Sequence, residues 1–343
     1  MKRWMLFLAV VAVLLGAAGF FGWTTWRKVF GPGARFAGDR IVLIPTGADF
    51  DQVVDSLNAQ GLLADERTFR LWAQRKKYPE RVRPGRYKVA GGTSLNALVN
   101  KLRAGEQDPV KVTFTNVDHL PELAGRVARA IEPDSLTLLR AFLDPALQQE
   151  VGLTPATMIS LFIPNTYEFW WTTTPQQFVA RMRREHDAFW TEARRAKAAA
   201  HKLSPAEVAT LASIVQAETV KMDDAPRIAG VYLNRLRIGM PLQADPTLKF
   251  AVGDRGIQRV LNVDKQVDSP YNTYKYTGLP PGPINMPEPR FIDAVLDAER
   301  HDYLYFCARA DLSGWSDFAR TYEQHQVNAR KYQRALNARG IRR

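Results

Sequence analysis

The run Trp4–Trp26, WMLFLAVVAVLLGAAGFFGWTTW, contains no charged residue, and this constrains the chain more than any other feature. A helix rising about 1.5 Å per residue over that length crosses the roughly 30 Å hydrocarbon layer of a bilayer. One membrane anchor is therefore expected over 4–26, with residues 1–3 before it and everything able to fold after it. A cleaved signal peptide competes with this expectation, because Gly16-Ala17-Ala18-Gly19 supplies small residues after an apolar stretch. The apolar run continues through Phe20, Phe21 and Trp23, which favours an uncleaved anchor. Lys2 and Arg3 precede the run while Arg27, Lys28 and Arg35 follow it, so the charge count alone leaves the orientation open.

The 343 residues are 46% hydrophobic, enough for an anchor plus one large or two modest cores. A net charge of +12 suits an anionic polymer or a membrane surface, and no nucleic-acid motif accompanies it. The basic tail residues Arg339, Arg342 and Arg343 read as plain solvated surface. The single cysteine, Cys307, excludes an internal disulfide and sits in the apolar run YLYFCA, where burial on a strand is expected rather than a catalytic thiol. His119, His186, His201, His301 and His325 lack metal-ligand spacing, and neither H-E-x-x-H nor G-x-S-x-G occurs. A metalloenzyme or a serine hydrolase is therefore not expected. Arg183, Arg184, Glu185 and His186 read as a solvated helix face.

Residues 27–40, with GPGARFAGDR, read as a flexible linker that separates the anchor from the first folded module. IVLIP (41–45) and GRYKV (85–89) read as strands. Asp49 with Gln52 forms a capping-box start for a helix that Gly61 stops, a second helix is expected over Thr68–Lys76, and LNALVNKLRAG (95–105) carries one apolar helical face. These elements predict a small α+β module over 41–106. VKVTFT (110–115) opens a larger region over 110–343, helical through most of 119–222 and rich in loops from 240 to 290.

Ser204-Pro205-Ala206-Glu207 combines a Ser cap, a Pro at the first helical position and a Glu three residues after the cap, so a helix starts there. At about 100° per residue, Leu211, Ile214, Val215 and Met222 fall within roughly 60° of Glu218 on one apolar face. A carboxylate there must find a cation, such as Arg227 or Arg235, or raise its pKa. The second outcome yields a proton donor at neutral pH, the property that protonation of a glycosidic oxygen requires. Tyr271, Asn272 and Tyr274 in SPYNTYKYTGLPPGPI (269–284) suit a sugar groove or equally a small aromatic core beneath a loop, and Tyr276 belongs to the same run. Gln243 and Asp245 in LQADPT sit on an expected turn, where Asp245 is either a second carboxylate for catalysis or ordinary turn chemistry.

The blocks LASIVQAET (211–219), AGVYLNRLRIGMPLQADPT (229–247), SPYNTYKYTGLPPGPI and FIPNTYEF (162–169) resemble the endolytic murein transglycosylases, the YceG-like or MltG-like family. The likeness extends over nearly the whole chain. It implies an α+β fold with a single N-terminal transmembrane helix, a LysM-like module over about 41–106 and a larger YceG-like catalytic domain. It also implies a bacterial inner-membrane location facing the cell wall, no cofactor, and Glu218 as the catalytic acid. The implied reaction cleaves the β-1,4 bond between N-acetylmuramic acid and N-acetylglucosamine inside peptidoglycan strands, leaving a 1,6-anhydromuramyl end. Gln243, Asp245, Tyr271, Asn272 and Tyr274 are the candidate substrate-binding residues, and cell-wall synthesis enzymes are implied partners. Two positions depart from the family pattern: Ser316 stands where Gly-x-His-x-Phe usually places histidine, and Asn165 where Asp is usual. A hydrolytic muramidase pairing Glu218 with Asp245, and a wall-binding scaffold without chemistry, are the alternatives.

Overall fold

The structure is a computed structural model that describes residues 2–34, 36–115, 117–253 and 262–339. Arg35 of the flanking charges and Arg342 and Arg343 of the tail lie outside the described residues. The chain divides into two compact units, one formed by Met1–Lys111 with Ala130–Pro133 and Glu168–Thr174, the other by Val112–Arg129, Asp134–Tyr167 and Pro175–Arg343.

In the first unit, helix α1 (Lys2–Phe30) exposes Trp4, Phe7, Leu14, Phe21 and Trp23 along its length. Large apolar side chains shown all round a helix have no favourable place in water. Trp4–Phe30 is accordingly a candidate membrane span by length and composition. The flexible joint expected over 27–40 is different in the structure, because the helix runs on through Phe30 and its last turn is packed. Val29 is buried, Phe30 meets Trp72 edge-on at 5.5 Å, and Lys28 Nζ lies 2.8 Å from Asp65 Oδ2. The Lys28 ammonium and the Thr68 hydrogen bonds hold the Asp65 carboxyl down at about 2.

Strands β1 (Asp39–Ile44) and β2 (Gly85–Ala90) pair antiparallel, Asp39 opposite Ala90 and Ile44 opposite Gly85. Between them lie α2 (Phe50–Ala59) and α3 (Glu66–Arg75), and α4 (Leu95–Ala104) follows β2. The capping box at α2 is present in full: Gln52 N donates to Asp49 Oδ1 and Asp49 N to Gln52 Oε1. Gly105 ends α4 with a φ of 73°, a left-handed conformation that glycine adopts without a Cβ clash. Val42, Ile44, Val53, Leu57, Phe69, Tyr87, Val99 and Leu102 make the core. A returning segment also belongs to this unit. Its Glu132 carboxylate accepts from Thr46 N at 2.7 Å and Thr46 Oγ1 at 2.6 Å, so the unit is not a single continuous stretch of chain.

The second unit opens on β3 (Val110–Phe114), whose last residues fall here and whose partner is β4 (Asn165–Phe169). Helices α5 (Leu120–Ala128), α6 (Ser135–Phe142), α7 (Pro145–Val151), α8 (Pro175–Phe189) and α9 (Glu192–Ala200) lead to α10 (Pro205–Glu218). Of the charged α8 cluster, Arg184 is exposed and Arg183 and Glu185 are partly so, whereas His186 is half-buried near Trp190. Around α10 pack α11 (Ala225–Arg237), α12 (Asp245–Val252) and α13 (Pro289–Leu296); the hairpin β5 (Tyr305–Ala308) and β6 (Ser316–Ala319) and helix α14 (Tyr322–Ala338) complete the unit. The core gathers Leu211, Ile214 and Val215 of α10 with Ile228 and Tyr232 of α11 and Phe291 and Val295 of α13.

Replacing the α2 cap, Asp49→Ala, should lower stability by about 1 kcal/mol, because it leaves the Gln52 amide without its acceptor. Urea unfolding followed by circular dichroism is the check.

Candidate active site

Helix α10 begins at the expected capping box, with Glu207 N donating to Ser204 Oγ at 3.3 Å and Ser204 N to Glu207 Oε2 at 2.7 Å. Burial is continuous from Val208 to Val215, so α10 is a central helix enclosed on all sides rather than a surface helix with one apolar face. Glu218 is its last residue. Thr219 turns extended, with φ −138° and ψ 143°, and its Oγ1 accepts from Lys221 N at 2.9 Å. Met222, expected on the same helical face, therefore lies beyond the helix in a short 3-10 turn.

The end of a buried helix is a poor place for a negative charge, since protein replaces water there and the peptide dipoles point their negative end the same way. Glu218 has a pKa raised from 4.5 to about 7. Desolvation is the largest cause and the nearby Asp245 charge adds to it, while the Tyr232 hydrogen bond, Arg235 and Lys249 pull in the opposite direction. Neither arginine expected as an ion-pair partner is used in that way. Arg227 pairs with Glu299 at 2.8 Å, and Arg235 donates from Nε to Leu304 O at 2.7 Å and from Nη1 to Leu242 O at 2.5 Å. The partner of Glu218 among the described residues is instead Tyr232, whose Oη donates to Oε1 at 2.8 Å. The neutral acid therefore carries its proton on Oε2. Tyr232 is fully enclosed and sits edge-on to Phe306 of β5 at 5.8 Å.

A cleft of about 560 Å³ opens over Glu218. Gln243, Asp245 and Tyr274 line it, as do Tyr232 and Arg235 of α11 and residues of β5, β6 and α14. Asp245 is exposed and is the first residue of α12 rather than part of a turn, and Tyr274 Oη donates to its Oδ1. Burial, followed by that hydrogen bond, pushes the Tyr274 phenol well up.

Tyr271 and Asn272 are placed elsewhere. Tyr271 packs on Phe250 at 4.6 Å against the core. Asn272 is fully buried; its Nδ2 donates to Lys265 O and Val267 O, and its Oδ1 accepts from Tyr274 N. Thr273, next along, accepts from Ala244 N at Oγ1 and from Gln243 N at its carbonyl, both at 3.0 Å. The SPYNTY block thus fastens the 242–247 segment, and Gln243 takes a left-handed φ of 49°. Tyr276 is exposed and donates to Asp268.

The Pro-rich run has a similar task. Ile284 N donates to Ser213 Oγ at 3.0 Å, Asn285 Nδ2 to Ser213 O at 2.9 Å, and Glu288 N to Gln216 Oε1 at 2.7 Å. These contacts clasp the last turns of α10. A Cβ on Gly282 would lie 2.1 Å from Ala156 O, so the clasp passes where only glycine fits.

Tyr232, Trp315 and His325 line the cleft without having been expected there, and Arg235, expected only as an ion-pair partner of Glu218, lines it as well. Tyr232 had a usable signal, since it lies within the YLNRLR block at the spacing that puts it on the same α11 face as the buried Ile228. His325 had none. Cys307 sits on β5 as expected, half-buried, and burial pushes its thiol up to about 11, which keeps it protonated. Ser316 is buried and donates from its backbone N to Asp224 Oδ2 at 2.7 Å. Among the described residues no group of three His, Cys, Asp or Glu side chains is placed to hold a metal ion.

With this geometry in view, residues 42–331 match the model of the YceG-like family. A Bacillus subtilis protein named endolytic murein transglycosylase is 28% identical over 304 residues, which cover 84% of this chain and 83% of its own. A Streptococcus pneumoniae protein of the same name is 27% identical over 368 residues, covering 96% of this chain but 65% of its own length. The crystal structure of a putative yceG-like protein from Listeria monocytogenes superposes with a TM-score of 0.57 at 26% identity, covering 85% of this chain and 99% of that one.

Two outcomes are expected. Since the folded pKa of Glu218 lies above its ordinary value, its burial opposes folding once the group ionises; the cost is absent below pH 4.5 and complete above pH 7. Glu218→Gln should therefore match the parent in stability at pH 4 and exceed it at pH 8, by up to about 3 kcal/mol; denaturant titrations at the two pH values read the difference. Tyr232→Phe removes the donor that favours the carboxylate, so the Glu218 pKa should move further up, seen as an alkaline shift of its carboxyl resonance in carbon NMR.

Proposed function

The chain belongs to the YceG-like family, and from that premise we propose that it is an endolytic murein transglycosylase acting through Glu218. The observation that carries the reading is a carboxyl raised by burial to about 7 and lining an open cleft, whose hydrogen-bond partner among the described residues is a phenol.

The reaction balances without water. Glu218 Oε2 gives its proton to the oxygen that bridges N-acetylmuramic acid C1 to the next N-acetylglucosamine. As the C1–O bond breaks and positive charge grows on the sugar ring, the muramyl O6 bonds to C1, and its proton passes to the Glu218 carboxylate. The products are a free hydroxyl on one fragment and a 1,6-anhydro end on the other, and the acid is regenerated. One carboxyl is sufficient because the nucleophile belongs to the substrate, unlike the two-carboxyl arrangement of ordinary glycosidases. Tyr232 stabilises the carboxylate during the interval in which it is ionised and fixes which oxygen carries the proton. Gln243, Asp245 and Tyr274 are the proposed groove contacts, with Tyr271 and Asn272 acting behind them on loop shape.

Anchoring by α1 in the inner membrane, with the second unit on the wall side, follows the same family reading, as does a glycan-holding, LysM-like role for the first unit. The basic balance of the chain suits an anionic wall polymer. Because Asp245 lines the same cleft, a water-using muramidase is the second reading.

Mass spectrometry of glycan strands digested by the parent and by Glu218→Gln decides between them. Anhydro ends from the parent, with a fall of at least about a hundredfold in the variant, are expected. Reducing ends alone would establish hydrolysis, and equal product from both proteins would remove Glu218 from the chemistry.

A further inference from the structure

The proposed chemistry uses Glu218 and Tyr232 and leaves one wall of the cleft unexplained. Tyr305 of β5 and Tyr322 and His325 of α14 line that wall. Their rings form a closed cluster: Tyr305 to His325 is 5.4 Å with 22° between the planes, Tyr305 to Tyr322 is 5.8 Å, and Tyr322 to His325 is 6.3 Å. The Arg235 guanidinium lies 5.2 Å from the Tyr305 ring centre and is itself held by backbone carbonyls, so this ring has a fixed neighbour.

Three observations separate this cluster from ordinary packing. Helix α14 has no fully buried residue among those described, so its aromatic start is not there to fill a core. Tyr322 is 54% exposed while it pairs with Tyr305 and His325, so its ring is presented at the cleft and not spent in a core. His325 Nδ1 is enclosed and has no hydrogen-bond partner among the described residues. An enclosed nitrogen in that situation does not hold a hydrogen cheaply, so the neutral ring carries it on Nε2 and has a donor to offer. Ser316, at the position where the resemblance expects histidine, lines the same cleft, and an imidazole enters it from α14 instead.

We propose that Tyr305, Tyr322 and His325 form a sugar-binding subsite of the cleft, taking one N-acetylhexosamine ring of the glycan strand beside the bond that is cleaved. The apolar C–H face of a pyranose lies against the tyrosine rings, and His325 Nε2–H donates to a hydroxyl or acetamido oxygen. This rests on the reading of the cleft as a glycan site and adds to it which side chains grip the strand without touching the reacting atoms.

The test measures binding of purified, uncross-linked glycan strands to the detergent-solubilised full chain carrying Glu218→Gln, so that nothing is consumed. Adding Tyr322→Ala should weaken binding about three- to tenfold, the equivalent of one lost ring contact. Tyr322→Phe keeps the ring and should retain binding. His325→Phe keeps the stack but lacks the donor, and should lose about fivefold, one hydrogen bond. In the chain with Glu218 restored, KM should rise in step with each loss. Undiminished binding by Tyr322→Ala and His325→Phe would overturn the subsite even if the parent produces anhydro ends, and so would equal losses in Tyr322→Ala and Tyr322→Phe. Losses in the expected order, with no anhydro ends from the parent, would keep the subsite and reject the reaction.

Discussion

The withdrawal of water from one carboxyl is the interaction on which the second unit depends. Among the described residues Glu218 has no ion-paired cation, and burial outweighs the pull of Arg235 and Lys249, so the free-energy cost of its charge is met by remaining neutral until about pH 7. That cost exists only because α10 is enclosed along Val208–Val215 and delivers its last residue to the cleft floor. A surface helix with one apolar face would have let the same side chain reach solvent and ionise near 4.5.

Holding an acid in this condition requires neighbours that do not move. The loops that look decorative in the primary structure supply the rigidity: Asn285 and the Glu288 amide secure Ser213 and Gln216 on α10, and Thr273 secures Gln243 and Ala244. Polar groups buried in this way are tolerated because each finds a partner, and a satisfied buried network fixes geometry more firmly than apolar packing alone. Arg235 illustrates the point. Its guanidinium is spent on backbone carbonyls of two segments, leaving it to shape the field near Glu218 without neutralising the acid.

Local rules made much of this legible in advance. The capping boxes at Asp49 and Ser204, the glycine that ends α4 and the strands β1 and β2 all follow from short stretches of residue types, and the structure has them within a residue or two. The apolar company of Glu218 was visible at helical spacing, although the helix stops at Glu218 and leaves Met222 outside it. What short stretches could not reveal was who meets whom across the fold. Tyr271 and Asn272 have the chemistry of sugar contacts and are spent on the loop itself, whereas Tyr305 and His325, distant from the conspicuous blocks, face the cleft. The tight last turn of α1 was similarly hidden, because Lys28 and Asp65 become partners only after α3 has folded back.

The phenol that holds Glu218 has a second neighbour. Tyr232 rests edge-on against Phe306, and Phe306 follows directly after Tyr305, so the strand that presents an aromatic wall to the cleft also braces the donor behind the acid. Hydrogen-bond strength falls steeply with angle, so the Tyr232 donor has to be held in place, and the Phe306 ring is packed where it does so. One strand thus supplies, from two adjoining residues, a ring for the cleft wall and a brace for the donor to Glu218.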